Sequence, residues 1–492
     1  MGIVIRQSLR NVLYTYFGVV LGMVNKLILF NAWLTKEQFG LTELLITFMV
    51  LGSELSQLGV TRIVLRFFPY YHRDPEAEGQ FVWFVSLYTL AGFLLATLLL
   101  WLGQPWIQSV YQENSPLFSG AYAYIFPIIL AYTLQRFLTS LSQSLLKSVV
   151  PTFALHVGLR VAQMALILIY HFGWIGFTDF LNGYVVSEFI PGLLILGYLL
   201  WLRRLRFRTG LHRVRRRMMR IMTGYGLFSS LGEMTTILVN RVDLLMIGWL
   251  IGEATVATYA VAYYISTLIQ MPARSINAIA VPILAKHLKN NELSEVASLY
   301  YKSAINNLIL GGWVMIGIWV NLDNLFMLSP KHASGEGAAI FLGLASLINV
   351  ATGLNHGIIV NSRHYRFQLY ANLLLLGLVI GSNFLLIPLM QETGAAIATA
   401  LSVLAYNALC CWYVWVKYRM QPFDGQTLKT AALIAAVLLI GLALPQMGHP
   451  LLDLVLRSAL VTLLYVPAAL ALGLSADFNQ AVLGLWKQAG GR

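Results

Sequence analysis

Apolar stretches of about twenty residues recur from one end of this chain to the other, and only short polar connections separate them. A helix needs about that length to cross the hydrocarbon core of a bilayer. Backbone inside that core must satisfy its own hydrogen bonds, which leaves helices or closed barrels. Runs this long and continuously apolar read as helices, so an all-α polytopic membrane protein is expected, with about fourteen spans. The first runs from Asn11 to Trp33, too long for a signal-peptide apolar region, and is expected to stay in place. The next five centre near Met49, Ala91, Ile128, Met164 and Leu194. Eight more centre near Ile237, Ile269, Met315, Leu347, Leu376, Leu404, Val437 and Leu463. Composition agrees: 58% of residues are hydrophobic and 11% charged, against roughly 25% charged in a soluble domain.

Between the sixth and seventh spans lies RRLRFRTGLHRVRRRMMR, Arg203 to Arg220, with nine arginines in eighteen residues. Such a run is not readily carried across a bilayer and belongs on the cytoplasmic side. Alternating the spans from a cytoplasmic N-terminus places twenty-five Lys and Arg on that side and only Lys36 and Lys331 on the other. Both termini are then cytoplasmic. The net charge of +13 reflects this asymmetry, not a nucleic-acid surface. The run itself reads as a solvated linker facing lipid phosphates.

Residues 24–34, VNKLILFNAWL, resemble residues 239–250, VNRVDLLMIGWL. Each copy lies in the first span of a half, and six spans separate them. An even number implies a parallel repeat about an axis along the membrane normal. The expected division is 1–202 as an N-terminal six-helix lobe, 203–222 as a basic linker, 223–420 as a second six-helix lobe, and 421–492 as two added helices.

Ionisable residues within spans carry the functional expectation. A Lys or Arg at mid-membrane costs about 2.5–3.5 kcal/mol on insertion scales, so it normally faces water or a partner. Lys26 and Arg241 sit at matching depth in the two copies. Arg274 lies in the eighth span, after Pro272, and Arg160 in the fifth. Arg62 and Arg66 read as ordinary interfacial positives, and the alternative for Arg62 is the floor of a cavity. Glu54, Asp243 and Glu188 are acids within or at the ends of spans, suited to binding a coupling proton or sodium ion. Asp243 is two residues from Arg241, so on a continuous helix the two would point apart. Arg136, near a cytoplasmic end, should snorkel, and Arg457 should pair with Asp453 one turn away. Pro127, Pro191, Pro272, Pro282, Pro388 and Pro467 mark expected bends. Cys410 and Cys411 are adjacent and suit neither a disulfide nor a metal site. No phosphate-binding glycine loop, metal-spaced cluster or nucleophile elbow occurs, so neither cofactor nor catalysis is expected.

The stretch from Asp243 to Ala262, DLLMIGWLIGEATVATYAVA, resembles the polysaccharide-transporter (Wzx-type O-antigen or oligosaccharide flippase) family of the multidrug/oligosaccharidyl-lipid/polysaccharide (MOP) flippase superfamily. That family's pattern is an aspartate, an apolar run, a short loop and Tyr-Ala-x-Ala. Glu37-Gln-Phe-Gly40 and Gly394–Ser402, GAAIATALS, are similar to further parts of it, whereas Ala257 replaces the family's usual glycine. The resemblance implies two six-helix lobes around a central cavity. Spans one, two, seven and eight would line its portals, with two final helices added as in the lipid II flippase branch. It also implies a substrate of polyprenyl-diphosphate-linked oligosaccharide, moved by alternating access. On that reading the membrane is a cytoplasmic (inner) membrane, and Lys26, Glu54, Arg241 and Arg274 fall on cavity-lining helices. Lys26 and Arg241 would neutralise the diphosphate, Arg274, Arg62 and Arg160 are further candidates to bind substrate, and Tyr14, Trp33, Tyr259 and Tyr263 would be available to stack on sugars. Two rivals are a cation-coupled multidrug extruder of the same superfamily and a membrane polysaccharide polymerase or glycosyltransferase. The first favours a cavity rich in acids. The second needs a large outer loop or a carboxylate or histidine constellation.

Overall fold

A computed structural model describes residues 2–490 apart from 204, 365, 446 and 447, with the side chains of 2–6, 8–9 and 485–490 outside the description. The described residues form helices and no strand. By contact the chain separates into two compact units, Met1–Ala257 and Thr258–Arg492.

The first unit begins with α1, Gly2–Met23, which continues through a π-helical turn, Val24–Phe30, to Trp33. Thr35 and Gln38 then form a reciprocal capping box. That pair satisfies two otherwise orphaned backbone donors and starts α2, Lys36–Gln57. Leu58 (φ 44°) and Gly59 (φ 78°) turn the chain into α3, Val60–Tyr71. Gly59 is required twice over. Its φ is left-handed, and a Cβ there would lie 2.1 Å from the Gly226 carbonyl oxygen. Next come α4 (Pro75–Tyr111), α5 (Ile125–Ser144), α6 (Leu159–His171), α7 (Phe177–Ser187) and α8 (Phe189–Trp201). A second π-helical turn, Ala154–Gly158, precedes α6 and packs on α1. The seventh span is α9, Arg216–Val239, followed by α10, Val242–Leu250. It packs with the first unit.

The arginine run is not simply solvated. Asp74 caps α4, whose first turn carries Glu76 and Glu78. Arg206 pairs with the buried Glu78 at 3.4 Å, and Arg213 and His212 pair with Glu76, each at 3.2 Å. The Arg213 amide donates to Gln80 Oε1 and the Arg208 amide to the Gly79 carbonyl. Val214 is buried in an apolar cluster with Val82, Phe137 and Leu199. Acids at the α4 N-terminus, favoured there by the helix dipole, thus seat part of the linker. Arg203, Arg208, Arg215, Arg216, Arg217 and Arg220 remain exposed. Arg204 lies outside the described residues.

Helix α11, Glu253–Thr267, spans the boundary between the units. The second unit contains α12 (Met271–Lys289), α13 (Leu293–Trp319), α14 (Glu336–Ala351), α15 (Arg366–Tyr418), α16 (Gly425–Leu442), α17 (Pro450–Ala471) and α18 (Ala476–Gly490). The 53 residues of α15 extend well beyond one bilayer thickness. They are divided at Gln391 (φ 50°, ψ −128°), three residues after Pro388. Arg457 pairs with Asp453 at 2.9 Å and donates to the Val320 and Leu444 carbonyls, so this expected pair is present. Cys410 and Cys411 are free thiols.

Among the described residues eleven helices are long and apolar enough to cross a membrane. The spans expected near Leu376 and Leu404 both fall within α15, counted there as one. Those expected near Ile237 and Met315 correspond to α9–α10 and α13, which are more polar and are not among the eleven.

Candidate functional site

The first unit brings ionisable residues together in two clusters. One surrounds Lys26, on the π-helical turn of the first span. Its ammonium forms an ion pair with Glu43 at 2.9 Å and donates to the Thr42 hydroxyl at 3.4 Å. The rings of Phe30, Phe39 and Tyr184 lie 4.5, 5.4 and 5.6 Å from it. Lys26 is 3% exposed, so this cation is enclosed by a carboxylate and aromatic faces. The Asn25 amide beside it donates to the Arg160 carbonyl at 2.7 Å. The Arg160 guanidinium donates to Gln163, and Gln163 donates to Glu188 at 3.0 Å. Glu188 is buried at the junction of α7 and α8, three residues before Pro191.

The second cluster centres on Arg136 of α5. One guanidinium nitrogen donates to Glu54 of α2 at 2.7 Å and another to Glu233 of α9 at 3.1 Å. Arg62 of α3 reaches the other Glu233 oxygen at 3.5 Å. Exposure rises across the cluster, from 2% at Glu54 through 19% at Arg136 and 26% at Glu233 to 54% at Arg62. Arg136 therefore does not snorkel. Two carboxylates from other helices meet it, and its guanidinium turns inward toward them.

Arg241 occupies the break between α9 and α10, with φ −129° and ψ −12°. The expectation of one continuous helix through Asn240 and Arg241 is thus corrected. The Asn240 amide bonds back to the Thr236 carbonyl at 2.8 Å, a side-chain bond that competes with helix continuation. The matching Asn-cation step in the first copy falls on a π-helical turn. Both copies of the repeat therefore depart from α-helix at the same place. Arg241 is half-buried and makes no ion pair among the described residues. Asp243 is buried in the first turn of α10. In the second unit Arg274 is exposed on α12, also with no ion pair among the described residues.

Other expectations change. Trp33 stacks on His171 at 4.1 Å and Tyr14 packs edge-on against Phe153, so in this structure both rings serve packing. Tyr259 is buried, and Tyr263 is half-buried. Glu43, Glu233 and Gln163 were not singled out from sequence. A signal for the first two exists, because each is an acid within or beside an apolar span and such a residue needs a partner. Among the described residues no group of His, Cys, Asp and Glu could hold a metal ion.

A family model described as polysaccharide biosynthesis protein matches residues 5–288. No curated protein matches the chain in sequence. Among solved structures, the lipid II flippase MurJ in an inward closed conformation is similar over 92% of this chain and 97% of its own, with a TM-score of 0.69 and 12% identity. An inward-facing multidrug-resistance MATE transporter of the MOP superfamily is similar over 82% and 94%, with a TM-score of 0.62 and 14% identity. A MOP superfamily transporter from Pyrococcus furiosus, described as having a binding pocket of reverse polarity, is similar over 85% and 95%, with a TM-score of 0.51 and 13% identity. At these identities the likeness is one of fold. The chain is a multi-pass membrane protein with the MOP flippase fold, and it belongs to the polysaccharide biosynthesis protein family.

Proposed function

We propose that this protein translocates a polyprenyl-diphosphate-linked oligosaccharide, a polysaccharide repeat unit, across the cytoplasmic membrane by alternating access. The observation that carries the reading is a guanidinium, that of Arg241, set in a helix break of the first unit with no ion pair among the described residues. The buried acids Glu43 and Glu54 are ion-paired, to Lys26 and Arg136, and Glu188 accepts a hydrogen bond from Gln163. Arg241 stands half-buried with no ion pair among the described residues, and Arg62 is half open. An unpaired guanidinium at Arg241, and a half-open one at Arg62 held by a long contact to Glu233, suit an anion. Guanidinium is also the side chain best shaped to hold phosphate oxygens in pairs. The polyprenyl tail can remain in lipid, whereas the diphosphate and sugars need a polar route.

The multidrug-extruder reading requires acids left free for a cationic drug; Glu43, Glu54 and Glu233 are ion-paired, and that reading would have to rest on Glu188. The ion-coupling roles of Glu54, Asp243 and Glu188 remain part of the proposal. Glu188 is the best placed of the three, because it accepts a hydrogen bond from a neutral amide and makes no ion pair among the described residues.

Reconstituted vesicles test the substrate class. A fluorescent polyprenyl-diphosphate oligosaccharide should cross only in vesicles that contain the protein, and a lipophilic cationic dye should not be moved. Transport of the dye with no movement of the lipid would place the protein with the multidrug extruders.

A further inference from the structure

We infer that Glu233 is a resident counter-anion. It occupies a two-arginine anion site formed by Arg62 and Arg136, and an incoming phosphate-bearing group displaces it. The inference deepens the proposed function and rests on it for the identity of the natural ligand, the lipid-linked diphosphate.

The geometry separates the two carboxylates that meet Arg136. Glu54 is buried, makes the shorter contact at 2.7 Å and comes from α2, which is enclosed along much of its length. It fixes the guanidinium. Glu233 is a quarter exposed, and its two oxygens are divided between two arginines at 3.1 and 3.5 Å. One oxygen on each of two guanidinium groups is an arrangement that a phosphate reproduces with two of its oxygens. A phosphate brings more charge and more acceptors than one carboxylate, so it competes well for the same donors. Contacts this long and this open to solvent are weak, and Glu233 is therefore the exchangeable member. The Arg62 side chain, half exposed, is the entrance.

Displacement has a mechanical consequence. Glu233 lies on α9 two turns before the Asn240–Arg241 break, and its ion pairs tie α9 to α5 and α3. Once a phosphate takes the arginines, those ties are released, and the segment carrying Arg241 is free to follow the ligand. The anion thus loosens the helix that must move for it to pass. Without an anion, Glu233 neutralises the site and holds α9 in place.

The test uses the purified full-length protein in detergent, titrated with inorganic diphosphate. Glu233→Gln removes the competing charge at nearly constant size and should bind diphosphate about tenfold more tightly than the wild type. Glu233→Asp, too short to bridge both arginines, should also bind more tightly. Adding Arg62→Gln to Glu233→Gln should return affinity to the wild-type level or below. If neither Glu233 variant binds more tightly, the carboxylate is a structural tie and the inference is overturned. Phosphatidylglycerol micelles that displace diphosphate from Glu233→Gln would make the occupant a lipid headgroup and overturn the assignment to substrate. The vesicle assay separates the two claims. Lipid movement by the wild type with no tightening in either variant sinks only the counter-anion. Tightening without lipid movement keeps the anion site and sinks the flippase reading.

Discussion

Arg241→Ala should reduce transport of lipid-linked oligosaccharide by at least about tenfold while leaving the amount of inserted protein and its thermal midpoint near wild type. The sign follows from the environment of Arg241. The residue sits in a helix break, half-buried, with no ion pair among the described residues. Removing it leaves no ion-pair partner behind, so the folded state loses little. What is lost is a charged donor to the substrate, and charge-assisted bonds contribute about 1.5–3 kcal/mol each, where about 1.4 kcal/mol is a factor of ten. Arg241→Lys should recover only part of the rate, because an ammonium cannot offer the paired donors of a guanidinium. Initial rates in vesicles, normalised to inserted protein, give the answer. Full activity in the alanine variant would remove Arg241 from the substrate path.

Lys26→Ala should fail for a different reason. Lys26 is buried against Glu43 and enclosed by three aromatic rings. Truncating it leaves an uncompensated carboxylate in a dry interior, and breaking a buried pair from one side costs about 3–5 kcal/mol. Loss of folded protein is expected, visible as a lower thermal midpoint and reduced yield. Lys26→Met combined with Glu43→Leu removes both charges at similar volume and should restore much of that stability. If the double variant also transports, Lys26 is structural. If it folds but does not transport, the ammonium has a role beyond its pairing with Glu43. The two matched cations of the repeat thus give opposite results, one in transport with stability kept, the other in stability first.

That contrast shows how far the sequence could be read. Span length and the bias of Lys and Arg between loops follow from partitioning into a bilayer, which acts on each segment by itself, so the all-α membrane class was legible. The pair of Asn-cation steps at 25–26 and 240–241 was also legible as a repeat. Partners across helix interfaces were not. Glu43 lies on the next helix from Lys26, and Glu54, Arg136 and Glu233 lie on three separate helices. In a span that is apolar all round, periodicity does not show which face meets which neighbour. Arg136 was misplaced for this reason, since depth alone assigned it to the interface. The break at Arg241 was hidden because a polar residue within a span can satisfy its own helix or interrupt it, and the sequence is the same in both cases. Seating of the arginine run on Glu76 and Glu78 was missed because the acids lie far away in the chain.

The most direct measurement is the leaflet on which the lipid-linked oligosaccharide accumulates in cells that lack the gene. The account predicts complete, undegraded units on the cytoplasmic leaflet together with loss of the surface polysaccharide. Complete units on the outer leaflet, or surface polysaccharide unchanged with new sensitivity to cationic drugs, would contradict it.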